Sequence, residues 1–314
     1  MTRIAVFGAG AFGTSLAVVW AQAGRDVTIW GRDAASIAAA KSSRSLEKYL
    51  PGVSLPRNLD LTSNLEQAAQ ADLHVIAVPA QQTREFCNRL ASGPPRLVVA
   101  KGVETASGQM PHEIADAVAV VSGPGFAAEL AAGKPTALSL GCADGDTGAE
   151  IQSLLSTDTL RLYLNADING VALGGALKNV YAIACGLVAG AGLGESARAA
   201  LMTRGFAEMA RLGAVLGAKQ DTLMGLSGLG DLALTCTSPQ SRNFAYGLRL
   251  GGRPTGTAAT TVEGIATARA VLVLGRKNGV DLPIAQAVAQ VLEGDLSIAD
   301  AVAALMSRPL KQES

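Results

Sequence analysis

The hydrophobic pattern of this chain changes character about halfway along. From residue 3 to about residue 165, short β-branched apolar runs recur between helical stretches: RIAVFG, DVTIWG, LHVIAVP, RLVVAKG, VAVVSG and TALSLG. Strand signals that alternate with helix signals predict an α/β unit, a mostly parallel sheet with helices on both faces. Beyond about residue 165 the strand runs give way to long Ala/Leu/Gly segments with helical spacing. The expected division is therefore an α/β domain over residues 1–165 and an all-helical domain over 166–314. In SARAALMTRGFAEMARLGAVLGA, Arg204, Glu208 and Arg211 share one helix face, while Phe206, Met209 and Leu216 lie on faces nearer the core. GRKNG predicts a helix stop with Gly279 as the cap, and SIAD, Ser297 to Asp300, a capping box that opens the next helix. No internal repeat is visible.

One apolar stretch is unusual for what it contains. In GGALKNVYAIACG, residues 174–186, Lys178 is the only charged residue between Asp167 and Glu195. An ammonium on an apolar helix either snorkels to water or is held where it does chemistry. The pattern alone leaves both open, with Asn179 then serving only to pair with backbone. The least polar part, residues 180–194, is about 15 residues long, short of the roughly 20 that a membrane span needs, and reads as a buried core helix.

Composition narrows the classes of function. The chain has 314 residues, 49% hydrophobic and 17% charged, enough for two compact units with sizeable cores. Its 26 basic and 26 acidic side chains cancel, and no basic run occurs. The footprint of a nucleic-acid or anionic-membrane binder is missing, so an anionic partner must be small and locally held. Cys87, Cys142, Cys185 and Cys236 are widely spaced and read as reduced core thiols. His74 and His112 stand apart, so no metal site is expected. MTRIAVFG passes directly into a strand pattern, without the features of a secretory leader, and the cytoplasm is the expected compartment.

The first strand leads into GAGAFG. Gly8, Gly10 and Gly13 have the G-x-G-x-x-G spacing at a strand–helix junction, where the glycines allow a tight turn, close approach to a pyrophosphate and helix–strand packing. At such a junction the spacing predicts a Rossmann-type unit, with the pyrophosphate of a dinucleotide at the helix N-terminus. The second strand ends in Gly31-Arg32-Asp33. Arg32 suits the 2′-phosphate of NADPH, whereas Asp33 keeps NADH open. Ligands in such sheets bind beyond the carboxyl ends of the strands. Lys101 follows RLVVA there, and SGPGFAAEL places Ser122 and Gly123 after VAVV at the start of a helix.

These residues, with VAKGVE, GGALKNVYAI, AALMTRGFAEM, GLSGLGDLALTCTSPQSRN and VEG, resemble the bacterial NAD(P)-dependent glycerol-3-phosphate dehydrogenase family over nearly the whole chain. The resemblance implies reversible reduction of dihydroxyacetone phosphate to sn-glycerol 3-phosphate with NADP or NAD, feeding phospholipid synthesis, in a homodimer. It makes Lys178 the general acid/base and Lys101 a second lysine at the substrate. It assigns substrate contacts to Gly123, Asp231, Ser241, Arg242 and Asn243. Cofactor contacts fall to Gly8, Gly10, Ala11, Phe12, Gly13, Arg32, Lys101, Ala127, Arg242 and Glu263. Asp231 is expected to accept a hydrogen bond from Lys178 or from a substrate hydroxyl.

The chain departs from the family pattern at Gly125, where many members have threonine, and at Ser196, commonly asparagine; the serine is expected to keep a capping role at its helix entry. Two other readings remain: a related oxo-acid reductase, which would not require the Ser241-Arg242-Asn243 grip, and a non-catalytic NADPH sensor, which would not require Lys178 and Lys101.

Overall fold

The computed structural model describes residues 2–253 and 262–307; the tail RPLKQES, to which the sequence assigns no function, lies outside them. The N-terminal half builds one eight-stranded sheet, order β3-β2-β1-β4-β5-β6-β7-β8. The strands are β1 Arg3–Phe7, β2 Asp26–Trp30, β3 Leu59–Thr62, β4 Leu73–Ile76, β5 Arg96–Val98, β6 Ala119–Ser122, β7 Thr136–Cys142 and β8 Leu160–Asn165. All neighbours pair in parallel except β6 and β7, which are antiparallel. Strands β3 and β8 escape the apolar pattern for a physical reason. Both lie at sheet edges, and β8 alternates buried with exposed positions instead of running apolar throughout.

Helices α1 Ala11–Gln22, α2 Ala34–Ser43, α3 Leu65–Ala68, α4 Thr83–Cys87, α5 Pro111–Ala115, α6 Ala127–Ala131 and α7 Gly145–Leu155 accompany the strands. Alternate residues of β1 feed two separate cores. Ile4 and Val6 pack with Leu16 and Trp20 of α1, whereas Ala5 and Phe7 pack with Trp30 and Phe86. This is the period-two signature of a sheet buried on both faces.

From Ile168 onward every described element is helical: α8 Ile168–Gly190, α9 Glu195–Val215, α10 Gln220–Met224, a π-turn Leu226–Gly230, α11 Asp231–Thr237, α12 Arg242–Leu250, α13 Glu263–Lys277, α14 Pro283–Glu293 and α15 Ile298–Met306. Helix α8 is the axis of this half. At 23 residues it is long and apolar enough to cross a membrane, so the shortness inferred from the sequence does not hold. Burial marks it as a core helix, because 89% of its most apolar window is covered by the protein itself. The helix starts earlier than its apolar run because Asp167 caps it, accepting from Gly170 N at 2.8 Å.

Two expectations for α9 are corrected. Glu208 does not face solvent with its Arg neighbours; it is 1% exposed and accepts from Ile284 N at 2.7 Å and Ala285 N at 3.3 Å. Its carboxylate caps the first turn of α14, whose Pro283 start leaves amides free for it. Ser196 does not cap α9, because Gly194 occupies the N-cap and no side chain bonds there. The other signals place their elements as expected. Gly279 follows α13 with φ 66°, and Ser297 caps α15 by accepting from Asp300 N at 3.1 Å.

Candidate active site

The cofactor end is built from the β1–α1 turn. Gly8 has φ 123°, which L side chains rarely adopt, and a methyl group there would lie 2.7 Å from Ala77 O on the neighbouring strand exit. A methyl at Gly13 would lie 2.7 Å from Ala77 Cβ, so this glycine lets α1 pack on the sheet. Gly10 faces open space, with nothing within 4 Å of the same position, and no side chain caps α1. The first-turn amides of Ala11, Phe12 and Gly13 therefore have no intrahelical acceptor and point where a pyrophosphate would sit. The donors and the open space fit a dinucleotide.

Just past the end of β2, Asp33 is committed to the start of α2. One carboxylate oxygen accepts from Ala35 N at 3.0 Å and Ser36 N at 3.3 Å, and the other from Ser36 Oγ at 2.7 Å. These bonds hold the carboxyl below its usual range. Arg32 beside it is exposed. Asp33 thus works as the N-cap of α2, which separates two residues that the sequence left as rivals for one role.

Beyond the sheet, Lys101 lies three positions past the end of β5, and Ser122 is the last residue of β6, with α6 starting only at Ala127. Lys101 Nζ donates to Gly123 O at 3.2 Å and to Asp231 Oδ2 at 2.6 Å, and it sits 5.4 Å from the centre of the Phe12 ring. Lys178 Nζ donates to the other oxygen of the same carboxylate, Asp231 Oδ1, at 2.6 Å, and to Thr235 Oγ1 at 2.9 Å. Both lysine side chains are nearly enclosed, 13% and 11% exposed, and Asp231 is 1% exposed. Lys178 therefore does not snorkel. Burial pulls its ammonium down to about 8; the Lys101 charge pushes the same way, and Asp231 opposes both.

Glycines let these segments meet. A methyl at Gly174 would lie 2.6 Å from Ser227 O, so the π-turn that delivers Asp231 rests directly on α8. A methyl at Gly175 would overlap Ser122 Oγ and lie 3.5 Å from Lys101 Cδ. The two bare positions hold α8 against the π-turn on one side and the β6 end on the other. Lys178 follows within one turn.

A second polar group surrounds the start of α12. Ser241 caps this helix, accepting from Phe244 N at 3.3 Å, which leaves its hydroxyl proton free to donate. Arg242 is exposed at the first helical position. Asn243 is buried and spans two helices, donating to Asn179 Oδ1 at 2.8 Å and accepting from Gly264 N at 3.0 Å. Asn179 thus pairs with a side chain. Glu263, half-buried at the first position of α13, has its carboxyl pushed up by burial, against the pull of Arg242, Lys101 and Lys178. Ala127 is half-buried at the start of α6 and packs on the same core as Phe12.

Lys101, Gly123, Lys178 and Asp231 are joined by direct bonds, whereas Arg32 takes no part in that network. Thr235 was not singled out from sequence. Its signal was available, because Asp231 and Thr235 are an i, i+4 pair on one helix face. All four cysteines are buried free thiols, and among the described residues no group of three His, Cys, Asp or Glu can hold a metal ion.

A glycine turn feeding a helix N-terminus on the sheet, with a buried lysine held beyond the strand ends, fits a nicotinamide-dependent dehydrogenase. Comparison with known proteins gives the family. Residues 3–147 match the N-terminus and residues 167–303 the C-terminus of NAD-dependent glycerol-3-phosphate dehydrogenase. The chain belongs to that family and is an NAD(P)-dependent oxidoreductase. It is 48% identical to glycerol-3-phosphate dehydrogenase [NAD(P)+] of Paracoccus denitrificans, with 99% of each chain covered. It is 45% identical to the enzyme of that name from Parvibaculum lavamentivorans, covering 99% of this chain and 98% of the other. A crystal structure of glycerol-3-phosphate dehydrogenase from Coxiella burnetii superposes with a TM-score of 0.92 at 35% identity, covering 98% of this chain and 99% of that one.

Proposed function

We propose that this protein reversibly reduces dihydroxyacetone phosphate to sn-glycerol 3-phosphate, with Lys178 as the general acid. The observation that carries the reading is the Lys178–Asp231–Lys101 cluster: two nearly enclosed ammonium groups share one buried carboxylate. The bound reduced nicotinamide supplies the hydride that the ketone carbon accepts. As that carbon is reduced, negative charge builds on its oxygen, and a nearby proton donor lowers the barrier. Lys178 transfers a proton from Nζ to this oxygen, leaving a neutral amine beside Asp231. With its ammonium near 8, Lys178 is a far better acid than an ordinary lysine, and in the oxidative direction the neutral amine takes the proton back. Lys101 keeps a second positive charge at the site. Asp231 offsets the cost of burying both and fixes their direction.

The phosphate end falls to the α12 start, where the Arg242 guanidinium offers forked donors and the Ser241 hydroxyl a further one. The bonds that Asn243 makes to Asn179 and Gly264 support a role in holding α12 in register with α8. The cofactor contacts proposed are Gly8, Gly10, Ala11, Phe12, Gly13, Arg32, Lys101, Ala127, Arg242 and Glu263, and substrate contacts Lys101, Gly123, Lys178, Asp231, Ser241, Arg242 and Asn243. The same reading takes residues 1–165 as the cofactor domain and 166–314 as the substrate domain, supported by β8 ending at Asn165 and α8 starting at Ile168. A cytoplasmic homodimer feeding phospholipid synthesis belongs to this reading, on the strength of the family resemblance.

The test follows NADPH absorbance with dihydroxyacetone phosphate and, separately, with unphosphorylated 2-oxo and 3-oxo acids. Oxidation of NADPH by the phosphate ester alone, with KM raised by Arg242→Ala, is the expected result. Turnover of an oxo acid that Arg242→Ala leaves unchanged overturns the substrate. NADPH binding without turnover of any of them points to the sensor.

A further inference from the structure

Lys101 belongs to the sheet domain, yet its ammonium is bonded to Asp231 of the helical domain. A long, flexible side chain acts at a fixed point only if its backbone is held. The segment after it is built for that. Gly102 has φ 143°, and a methyl there would lie 3.0 Å from Ala80 Cβ and 3.2 Å from Thr267 Oγ1, so the chain passes between the start of α4's segment and α13. The next residue, Val103, is fully buried and packs, with Met110, in the core of the helical domain. The loop from Lys101 to Met110 is therefore inserted into the other half of the molecule.

What ties this loop back to its own domain is polar. Glu104 is only 6% exposed. Arg84 of α4 grips its carboxylate with two donors, Nε to Oε1 at 3.0 Å and Nη2 to Oε2 at 2.8 Å, and Nη2 also donates to Gln109 Oε1 at 2.7 Å. Ser107 Oγ donates to Glu104 Oε2 at 2.5 Å. Gln81 clamps the same turn from below, donating to Val103 O at 2.7 Å and accepting from Thr105 N at 3.0 Å. The Arg84 side-chain bonds hold the Glu104 carboxyl below the usual carboxylate range despite its burial.

We propose that Arg84 and Glu104 are positioning residues for Lys101: their forked pair, three residues along the loop, fixes the reach of the Lys101 ammonium to Asp231 and the substrate. Neither side chain bonds to the lysine–carboxylate cluster, so their effect runs through the loop. This inference rests on the reading of Lys101 as a group that acts on the substrate. A misplacement of about 1 Å at a reacting group can cost roughly 100-fold.

The experiment measures kcat/KM for dihydroxyacetone phosphate, with NADPH affinity by fluorescence, in five enzymes: wild type, Glu104→Ala, Glu104→Gln, Lys101→Met and the double variant Glu104→Ala with Lys101→Met. Glu104→Ala is expected to lower kcat/KM roughly 10- to 100-fold with NADPH affinity unchanged, and Glu104→Gln to recover only part of the loss, because its single amide oxygen accepts from Arg84 but cannot close the fork. In the Lys101→Met background, Glu104→Ala should add less than about twofold, since there is no ammonium left to misplace. An equal loss in both backgrounds, or no loss in the first, overturns the positioning role. Lys101→Met at wild-type kcat/KM instead overturns the reading of Lys101. Should Glu104→Ala fail to bind NADPH, Arg84→Lys carries the same comparison, because its half-exposed side chain keeps the charge and loses only the fork.

Discussion

Asp231 holds Lys178 with one carboxylate oxygen and Lys101 with the other, each at 2.6 Å. Two buried ammonium groups, one beyond the end of β5 and one on α8, therefore depend on a single counter-charge. With the Lys178 ammonium near 8, ketone reduction should fall as pH rises through about 8, because the acid must be protonated. The reverse oxidation should rise over the same range. Asp231→Asn removes the attraction that favours the charged form, so the limb moves to lower pH and turnover near neutrality drops by about 10²-fold or more. A profile of kcat against pH in both directions checks this, and an unmoved limb in Asp231→Asn would contradict it.

Asp33 and Arg32 are neighbours with separate tasks. The Asp33 carboxylate is taken up by three bonds at the start of α2, so Asp33→Ser, which keeps an N-cap acceptor, should leave the NADPH-to-NADH ratio of kcat/KM nearly unchanged. Arg32→Ala should lower that ratio, by about 10-fold for one lost charged contact. A ratio raised by Asp33→Ser would instead mean that its carboxylate accepts from the ribose 2′-hydroxyl of NADH.

Helices α8 and α12 touch through glycines. A methyl at Gly247 would overlap Ile183 O and lie 2.8 Å from Leu187 N, and one at Gly251 would lie 2.7 Å from Gly190 Cα. In an unconstrained helix Gly→Ala gains about 1 kcal/mol. Here Gly247→Ala should instead cost about 1–3 kcal/mol and raise KM for the phosphorylated substrate, because α12 carries Ser241 and Arg242 at its start. Gly145→Ala, at the first position of α7 with nothing within 4 Å, is the control for a methyl added without a contact. Thermal unfolding and steady-state kinetics on both variants decide it.

Glu208 gives a stability signature. Burial raises its carboxyl to about 7 from an ordinary 4.5, against the amides of Ile284 and Ala285. The folded protein then binds more protons than the unfolded chain between those values, so this contribution is full below about 4.5 and is lost as pH rises through 7. Glu208→Gln should flatten the change in unfolding free energy over that range. Denaturant unfolding at pH 5 and pH 8 compares the two; an unaltered slope in the variant would assign the dependence elsewhere.

Much of the architecture was legible from local pattern. Six of the eight strands showed as apolar runs, and the change to helix near residue 165 followed from composition and period. The two edge strands did not, because a half-exposed strand carries a weaker apolar signal, and the antiparallel turn of β7 depends on pairing that no window contains. At the site, Lys178 announced itself as a lone charge in an apolar helix. Its bond to Thr235, the Asn179–Asn243 pair and the Lys101 bond to Asp231 join residues 57, 64 and 130 positions apart, so only the fold reveals them. Glu208 was misread for the same reason. Helical period gives its face, but the amides it caps come from another helix.

The central claim is that Lys178 delivers the proton. The most direct measurement mixes Lys178→Ala holding NADPH with dihydroxyacetone phosphate and follows one turnover by nicotinamide absorbance, with NADPH affinity determined alongside. The account predicts unchanged cofactor binding, a rate lowered by about 10² to 10⁴, and no remaining limb near pH 8. Turnover within about tenfold of wild type, with the limb still present, would show that another group carries the proton.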